Sequence, residues 1–198
     1  MDKYHLHWYT DEIQIHAASA IASYKLLLSL VAENKSRQSR EVWFALVSFL
    51  THAAMISKFF DPIKADESKK QRGEALRTHL QVAKDSPILP RAARDNLEHF
   101  DERIDNWVEK KEDKVLEMVF DDRDGFNFIN EPKGAIRRVL IAEEMVFISE
   151  DRHGNPVETK LSPVFEALQS LQDVCLHKLA TESPYNYRLA QALRNYER

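Results

Sequence analysis

The sequence predicts an α+β fold that is mainly helical: an up-down helical bundle with a small antiparallel β-meander inserted before the C-terminal helices. Two observations support this prediction. Apolar residues recur at three- and four-residue steps through the first half of the 198-residue chain, which is the period of a helix with one buried face. After residue 121 the pattern changes to short β-branched or aromatic runs separated by turn residues, which is typical of strands.

The first two helices are predicted from their apolar positions and their end signals. Thr10 can cap the first helix, whose apolar positions are Ile13, Ala17, Ala20, Ile21, Tyr24, Leu27, Leu28 and Val31. The second is predicted from about Arg40 to Phe60, with Ser39 as its cap and Asp61-Pro62 as its end. Because this second helix is apolar on most of its circumference, we expect it to be central and buried.

Two further helices are predicted before the sheet. The third runs from about Asp66 to Ala83, and the fourth from about Arg91 to Met118. Pro90 marks the start of the fourth helix, and the absence of glycine between residues 75 and 124 suits a long helix. Its predicted core stripe is Leu97, Phe100, Ile104, Trp107 and Val108.

The segment from residue 121 predicts a three- or four-stranded antiparallel meander. Phe126 and Phe128 alternate with asparagine, and residues 139–141, 146–148 and 157–161 form further short runs. The last of these runs follows the turn sequence His-Gly-Asn-Pro at residues 153–156.

Two Ser-Pro pairs predict the helices that follow the sheet. Ser162-Pro163 opens a helix, and Ser183-Pro184 opens a last short helix that carries Leu189 and Leu193. The predicted inward positions of the first of these helices are Val164, Leu168, Leu171, Val174, Cys175 and Leu179. We expect a bundle over residues 1–120, with residues 121–198 packed on it as one compact unit.

Composition excludes several classes of protein. The net charge of −4 means that any nucleic-acid site must be a local patch. The one cysteine, Cys175, excludes a disulfide framework and a cysteine-based zinc site. The first residues lack the apolar core of a secretory signal, and no apolar run approaches the ~18 residues of a membrane span. We therefore expect a cytoplasmic protein with no membrane partner.

The eight histidines give no metal-binding pattern. The sequence has no HExxH motif, and the fourth helix lacks ExxH because Asn96 stands three residues before His99. His16, His79 and His177 have no companions at ligand spacing, and His52 is interpreted as a core histidine of the most apolar helix. We expect no bound metal and no cofactor.

One segment carries a catalytic pattern. Residues 91–103 contain Arg94-x4-His99, with Asp95 directly after the arginine. This resembles the HEPN family (higher eukaryotes and prokaryotes nucleotide-binding domains), whose members are helical bundles, commonly dimers. Many are metal-independent ribonucleases with an Arg-x4–6-His motif on a late helix. The resemblance covers roughly residues 10–118.

The resemblance implies a homodimeric, metal-independent endoribonuclease with RNA as its partner, acting as a toxin or defence protein. Arg94 would bind the scissile phosphate, His99 would be the acid or base, and Asp95 would orient His99. On a continuous helix His99 lies about 130° from the predicted core stripe, so it is not a core histidine. Arg94 lies about 140° from His99, so a symmetric dimer is the arrangement that could bring both groups to one phosphate.

Several alternatives remain open from the sequence. Arg72-x6-His79 is a second match to the same motif, on a charge-rich helix and with Gly73 after the arginine. The chain could instead be a non-catalytic helical module that binds a nucleotide or a protein, or an interaction protein that uses the sheet at residues 139–148. The residues around His99 could also form only a solvated charged face.

Overall fold

The computed structural model describes residues 1–32, 40–63, 65–112, 114–130 and 133–185, and within these ranges the side chains of Arg94, Leu97, Glu98 and Phe100 are not described. The fold is α+β and mainly helical, as predicted, with a small four-stranded sheet. The predicted last helix, including Leu189 and Leu193, lies outside the described residues.

The first helix, α1, spans Lys3–Ala32 and starts earlier than predicted. The carboxylate of Asp2 caps it by accepting hydrogen bonds from the backbone N–H groups of Tyr4 and His5. Thr10 is therefore not a cap: it is buried, and its hydroxyl donates to the carbonyl of Leu6. The prediction failed because the apolar pattern begins at Ile13, nearly three turns after the true start at Lys3.

The second helix, α2, spans Arg40–Phe60, the range predicted, and packs along α1. Its predicted cap, Ser39, lies outside the described residues. One flank of α2 is open to solvent at Phe44, so the helix is buried on most but not all of its circumference. By length and composition alone, α1 and α2 could each cross a membrane. This corrects the expectation drawn from apolar runs, but core helices have the same composition, and both helices contribute to the buried core.

The third helix, α3, spans Glu67–Leu80 and begins at Asp66, whose carboxylate accepts from the N–H of Lys69. It packs against the end of α2, where two of its arginines satisfy carbonyls that lack partners in the last helical turn. Arg72 Nη2 donates to the carbonyl of Lys58, and Arg77 Nη1 donates to that of Phe60. Gly73 allows this close approach, because a Cβ atom there would overlap the Phe60 carbonyl oxygen.

The predicted fourth helix is two short helices and a strand. Helix α4 spans Ala92–Glu98, α5 spans Phe100–Lys110, and strand β1 spans Val115–Phe120. The backbone leaves the helical conformation at His99 and again at Lys111, which has the left-handed φ of 55°. The prediction that this helix reaches Met118 was therefore wrong.

The predicted core stripe of that helix was also wrong where the structure describes it. Ile104 and Val108 are 43% and 71% exposed, and Trp107 is half-buried. Among the residues of α5 whose side chains the structure describes, the buried one is a charged residue, Arg103. A sequence pattern cannot tell a buried arginine from an exposed one here, because the burial of Arg103 depends on partners elsewhere in the chain.

The sheet is mixed, with strand order β1-β2-β3-β4. Strands β2 (Ala135–Ile141), β3 (Val146–Glu150) and β4 (Pro156–Lys160) form the predicted antiparallel meander. Strand β1 pairs with β2 in parallel, through a crossover that contains helix α6 (Arg123–Ile129).

Phe126 and Phe128 belong to α6, which corrects the predicted strand. Asp122 caps this helix by accepting from the N–H of Gly125. Phe126 is buried against Phe120 of β1, whereas Phe128 is exposed. The alternation with asparagine therefore did not reflect a two-residue strand period.

Helix α7 spans Leu161–Glu182 and closes the bundle against α1. It follows β4 directly, so it begins one residue before the predicted Ser162 cap, and the Ser162 hydroxyl is instead bonded to that of Tyr24. The rings of Tyr24 and Phe165 stack 4.3 Å apart between their centroids. One face of the sheet joins this helical core through Val119, Leu140, Ala142, Met145 and Phe147.

Candidate active site at the α4–α5 junction

The break between α4 and α5 places His99 at a corner of the chain, held by the guanidinium of Arg103. Nη1 of Arg103 donates to the carbonyls of Asn96 and His99, and Nη2 donates to the side-chain oxygen of Asn96. Asn96 lies in the last turn of α4, and His99 is the residue between the two helices. Arg103 is only 6% exposed, so a buried charge caps the helix that precedes it.

Two polar contacts hold the junction against strand β3. The side-chain amide of Asn96 donates to the hydroxyl of Ser149 over 3.2 Å, and Trp107 Nε1 donates to Glu150 Oε2 over 3.1 Å. Glu150 is buried, and its other oxygen accepts from the backbone N–H of Ile136. Burial lowers the pKa of Arg103, and the nearby carboxylates of Glu150, Glu102 and Asp151 oppose that shift by favouring the charged form.

His99 itself is accessible. Its side chain is 63% exposed, and Nδ1 lies 3.2 Å from Glu102 Oε1. Among the described residues, no hydrogen bond involves Nε2 of His99. A carboxylate at Nδ1 favours the tautomer that leaves Nε2 as an acceptor.

The other two predicted site residues are on α4. The backbone carbonyl of Asp95 accepts from the N–H of His99, but the carboxylate placed beside the His99 ring is that of Glu102. The backbone of Arg94 lies on α4, five residues before His99, and its side chain is outside the described part of the structure. The predicted meeting of the Arg94 and His99 side chains is therefore not described.

A polar groove of about 240 Å³ begins one helical turn beyond His99 and runs between α5 and the ends of β2 and β3. Its cationic lining residues are Arg103, Lys110, Lys133 and Arg152. Its carboxylates are Glu112, Glu150 and Asp151. Asp151 caps the β3–β4 turn by accepting from the N–H groups of His153 and Asn155, and the bond from Asn155 is the main reason for its lowered pKa.

Sequence reasoning missed Arg103, Trp107 and Glu150 as parts of one site. Trp107 and Glu150 are separated by 43 positions in the chain. A polar contact over that distance leaves no periodic signal. The burial of Arg103 was hidden because its position fits the charged face of a regular helix.

The competing motif match at Arg72 and His79 divides into two different structural roles. Arg72 caps the end of α2 through the carbonyl of Lys58, and its guanidinium lies over the ring of Tyr9. His79 points into a pocket between α1, α3 and α7. Arg72 therefore serves the packing of α3 on α2.

His16 and His52 form a pair that the sequence did not suggest. Their Nδ1 atoms are 2.8 Å apart, between α1 and α2, and both residues are half-buried. Burial, together with the neighbouring His16 ring, lowers the pKa of His52. In the described ranges no group of three or more His, Cys, Asp or Glu side chains is arranged to hold a metal ion.

Comparison of the chain with protein-family models, with curated proteins and with solved structures finds no match in any of the three.

Proposed function

We propose that the chain is a HEPN-like, metal-independent endoribonuclease that acts at the α4–α5 junction. The observation that carries the proposal is the exposed His99 ring, with Glu102 at its Nδ1 and a groove containing four cationic side chains beginning one turn away. An acid-base group beside cations is what the cleavage of a phosphodiester requires.

In the proposed reaction, neutral His99 accepts the proton of a ribose 2′-hydroxyl at Nε2. The 2′-oxygen attacks the adjacent phosphorus, the bond from phosphorus to the 5′-oxygen breaks, and water protonates that leaving oxygen. The products are a 2′,3′-cyclic phosphate and a 5′-hydroxyl end. Glu102 stabilises the imidazolium that forms, and Arg94 would bind two oxygens of the scissile phosphate.

The groove would hold the RNA strand on the 3′ or 5′ side of the cut. Lys110, Lys133 and Arg152 are exposed and suit contacts to phosphates. Trp107 offers the edge of an aromatic ring at the same surface. Binding through a few phosphates should weaken steeply as salt is raised.

The test is cleavage of single-stranded RNA in the presence of a chelator. We expect His99→Ala and Arg94→Ala to reduce the cleavage rate by a hundredfold or more, in line with the ~10²–10⁴-fold contribution of a positioned acid or base. Arg94→Lys should restore little activity, because an ammonium cannot contact two oxygens as a fork. His177→Ala is the matched control, since His177 is exposed on α7 and outside the groove.

Two results would contradict the proposal. One is cleavage that survives both His99→Ala and Arg94→Ala. The other is cleavage at a position where the RNA carries a 2′-deoxyribose, because the proposed attack needs the 2′-hydroxyl. Detection of a 2′,3′-cyclic phosphate end by mass spectrometry distinguishes this mechanism from hydrolysis by a metal-bound water.

A further inference from the structure

A second pocket of about 240 Å³ lies where α1, α3 and α7 meet, and no residue of the α4–α5 junction lines it. Its ionisable lining residues are Lys3, His7, His79, Lys178 and Glu182. Drug-sized ligands occupy pockets of ~300–1,000 Å³. The volume therefore suits a smaller molecule, and the two lysines and two histidines suit an anion.

The histidines of this pocket are held in place. His79 is on α3 with only 14% of its side chain exposed, and its Nδ1 lies 4.0 Å from Glu182 Oε2. The ring of His7, on α1, packs edge-on against Tyr185 with 4.9 Å between the centroids. Nδ1 of His7 is buried and has no hydrogen-bond partner among the described residues. Within the described part of the chain nothing supplies this nitrogen with a hydrogen bond, and a buried nitrogen without one is costly.

The charges on the pocket favour an anion. Lys178 Nζ donates to Glu182 over 2.6 Å, so at neutral pH Lys3 and Lys178 face a single carboxylate. Burial and the charge of Lys178 lower the pKa of His79, and Glu182 opposes them. An arriving dianion would reverse this balance and favour protonation of His79, which then becomes an additional donor.

We propose that this pocket binds the phosphoryl group of a small phosphate monoester. A phosphoryl group has three acceptor oxygens and a second pKa near ~6, so it is largely a dianion at neutral pH. The two ammonium groups and the His79 ring match those oxygens. Leu6 and Leu179 form the apolar part of the lining. Glu182 can accept a hydrogen bond from a hydroxyl group on the organic part of the ligand. This site is separate from the proposed ribonuclease centre, so either proposal can fail alone.

The experiment follows the histidine ring signals of the full ¹⁵N-labelled chain by NMR. The probes are inorganic phosphate and ribose 5-phosphate, with ribose and with sodium chloride at matched ionic strength as controls. We expect saturable shifts of the His7 and His79 signals with both phosphates, no such shifts with the controls, and an unmoved His177 signal. Tighter binding of ribose 5-phosphate than of inorganic phosphate would show that the site recognises an organic monoester. Equal binding of the two would show that the site recognises the phosphoryl group alone.

Substitutions give the second readout. His79→Gln and Lys178→Met should each weaken phosphate binding about tenfold or more, because each removes a charged donor. His177→Gln should leave the dissociation constant unchanged, and His79→Gln should leave RNA cleavage unchanged. Equal shifts with sodium chloride, or an unchanged dissociation constant in both pocket variants, would overturn the proposal.

Discussion

At the scale of single residues, the pair formed by His16 and His52 shows most clearly how the surroundings of a side chain change its properties. With their Nδ1 atoms 2.8 Å apart, one ring must donate and the other must accept. Protonating both would place two donors against each other in a half-buried site. Glu12 Oε1 lies 3.4 Å from the other ring nitrogen of His16, Nε2.

This pair predicts a loss of stability in mild acid. The pKa of His52 is below the ordinary value of 6.5 in the folded chain, and so is that of His79. The unfolded chain therefore binds more protons as the pH falls below about 6.5, and the free energy of unfolding decreases with it. Urea unfolding at pH 7.5, 6.5 and 5.5 measures this slope.

His52→Gln should make the free energy of unfolding depend less steeply on pH. His79 should account for part of the pH dependence that remains. His177→Gln serves as the control because His177 is exposed and far along α7 from the pair. An unchanged slope in His52→Gln would show that the histidine pair does not titrate in this range.

At the scale of the elements, the α4–α5 junction depends on one buried arginine. Arg103→Met would leave the carbonyls of Asn96 and His99 without their donor and Glu150 without a nearby positive charge. Because bonds to a charged group contribute roughly 1.5–3 kcal/mol each, we expect a loss of about 2–4 kcal/mol in the free energy of unfolding. Chemical denaturation checks this, with exposed Arg152→Met as the control, expected to change stability by about 0.5 kcal/mol or less.

If Arg103→Met proved as stable as the parent chain, the capping role would be wrong. The same variant also tests the link to function. A disordered junction would lower RNA cleavage together with stability, whereas His99→Ala should lower cleavage alone.

The elements differ in how far their sequence determines them. Helix α2 was predicted at both ends, because a long apolar segment followed by Asp61-Pro62 allows few other structures. The break at His99 could not be predicted, since it depends on Arg103 meeting carbonyls that only the folded chain presents. Strand β1 was assigned to a helix because no glycine interrupts the segment after the predicted stripe, and a short apolar run does not by itself distinguish a strand from a helix.

The candidate site was predictable only in part. The exposure of His99 was predicted and is observed, although the buried stripe used to argue for it is not. Glu102, which the sequence did not single out, lies beside the ring at Nδ1, and the predicted role of Asp95 stays a prediction. The groove residues were not foreseen, since they come from elements that are distant in the chain.

At the scale of the whole molecule, the apolar surface of α5 supports the predicted homodimer. Ile104 and Val108 are exposed and one helical turn apart, close in the chain to His99. Two copies packed through this surface would place two junctions near each other, as the proposed reaction would use. We expect light scattering at micromolar concentration to give the mass of a dimer.

Val108→Glu should shift the mass toward that of a monomer, because it places a charge in the proposed interface. Phe128→Glu, at an exposed apolar residue of α6, is the matched control and should leave the mass unchanged. A monomeric parent chain would contradict the dimer, and a dimeric Val108→Glu variant would place the interface elsewhere.

The contact between α1 and α7 also has a consequence for how the protein is made. Tyr24, on the first helix, stacks on Phe165 of the last described one. At ~5–20 residues per second, the ribosome delivers α7 on the order of ten seconds after α1. During that interval α1 and α2 can pair, but the side of α1 that receives Phe165 and Leu168 stays uncovered. Folding of this bundle in the cell is thus completed only after α7 has emerged from the ribosome, and the nascent chain offers chaperones this apolar side of α1 until then.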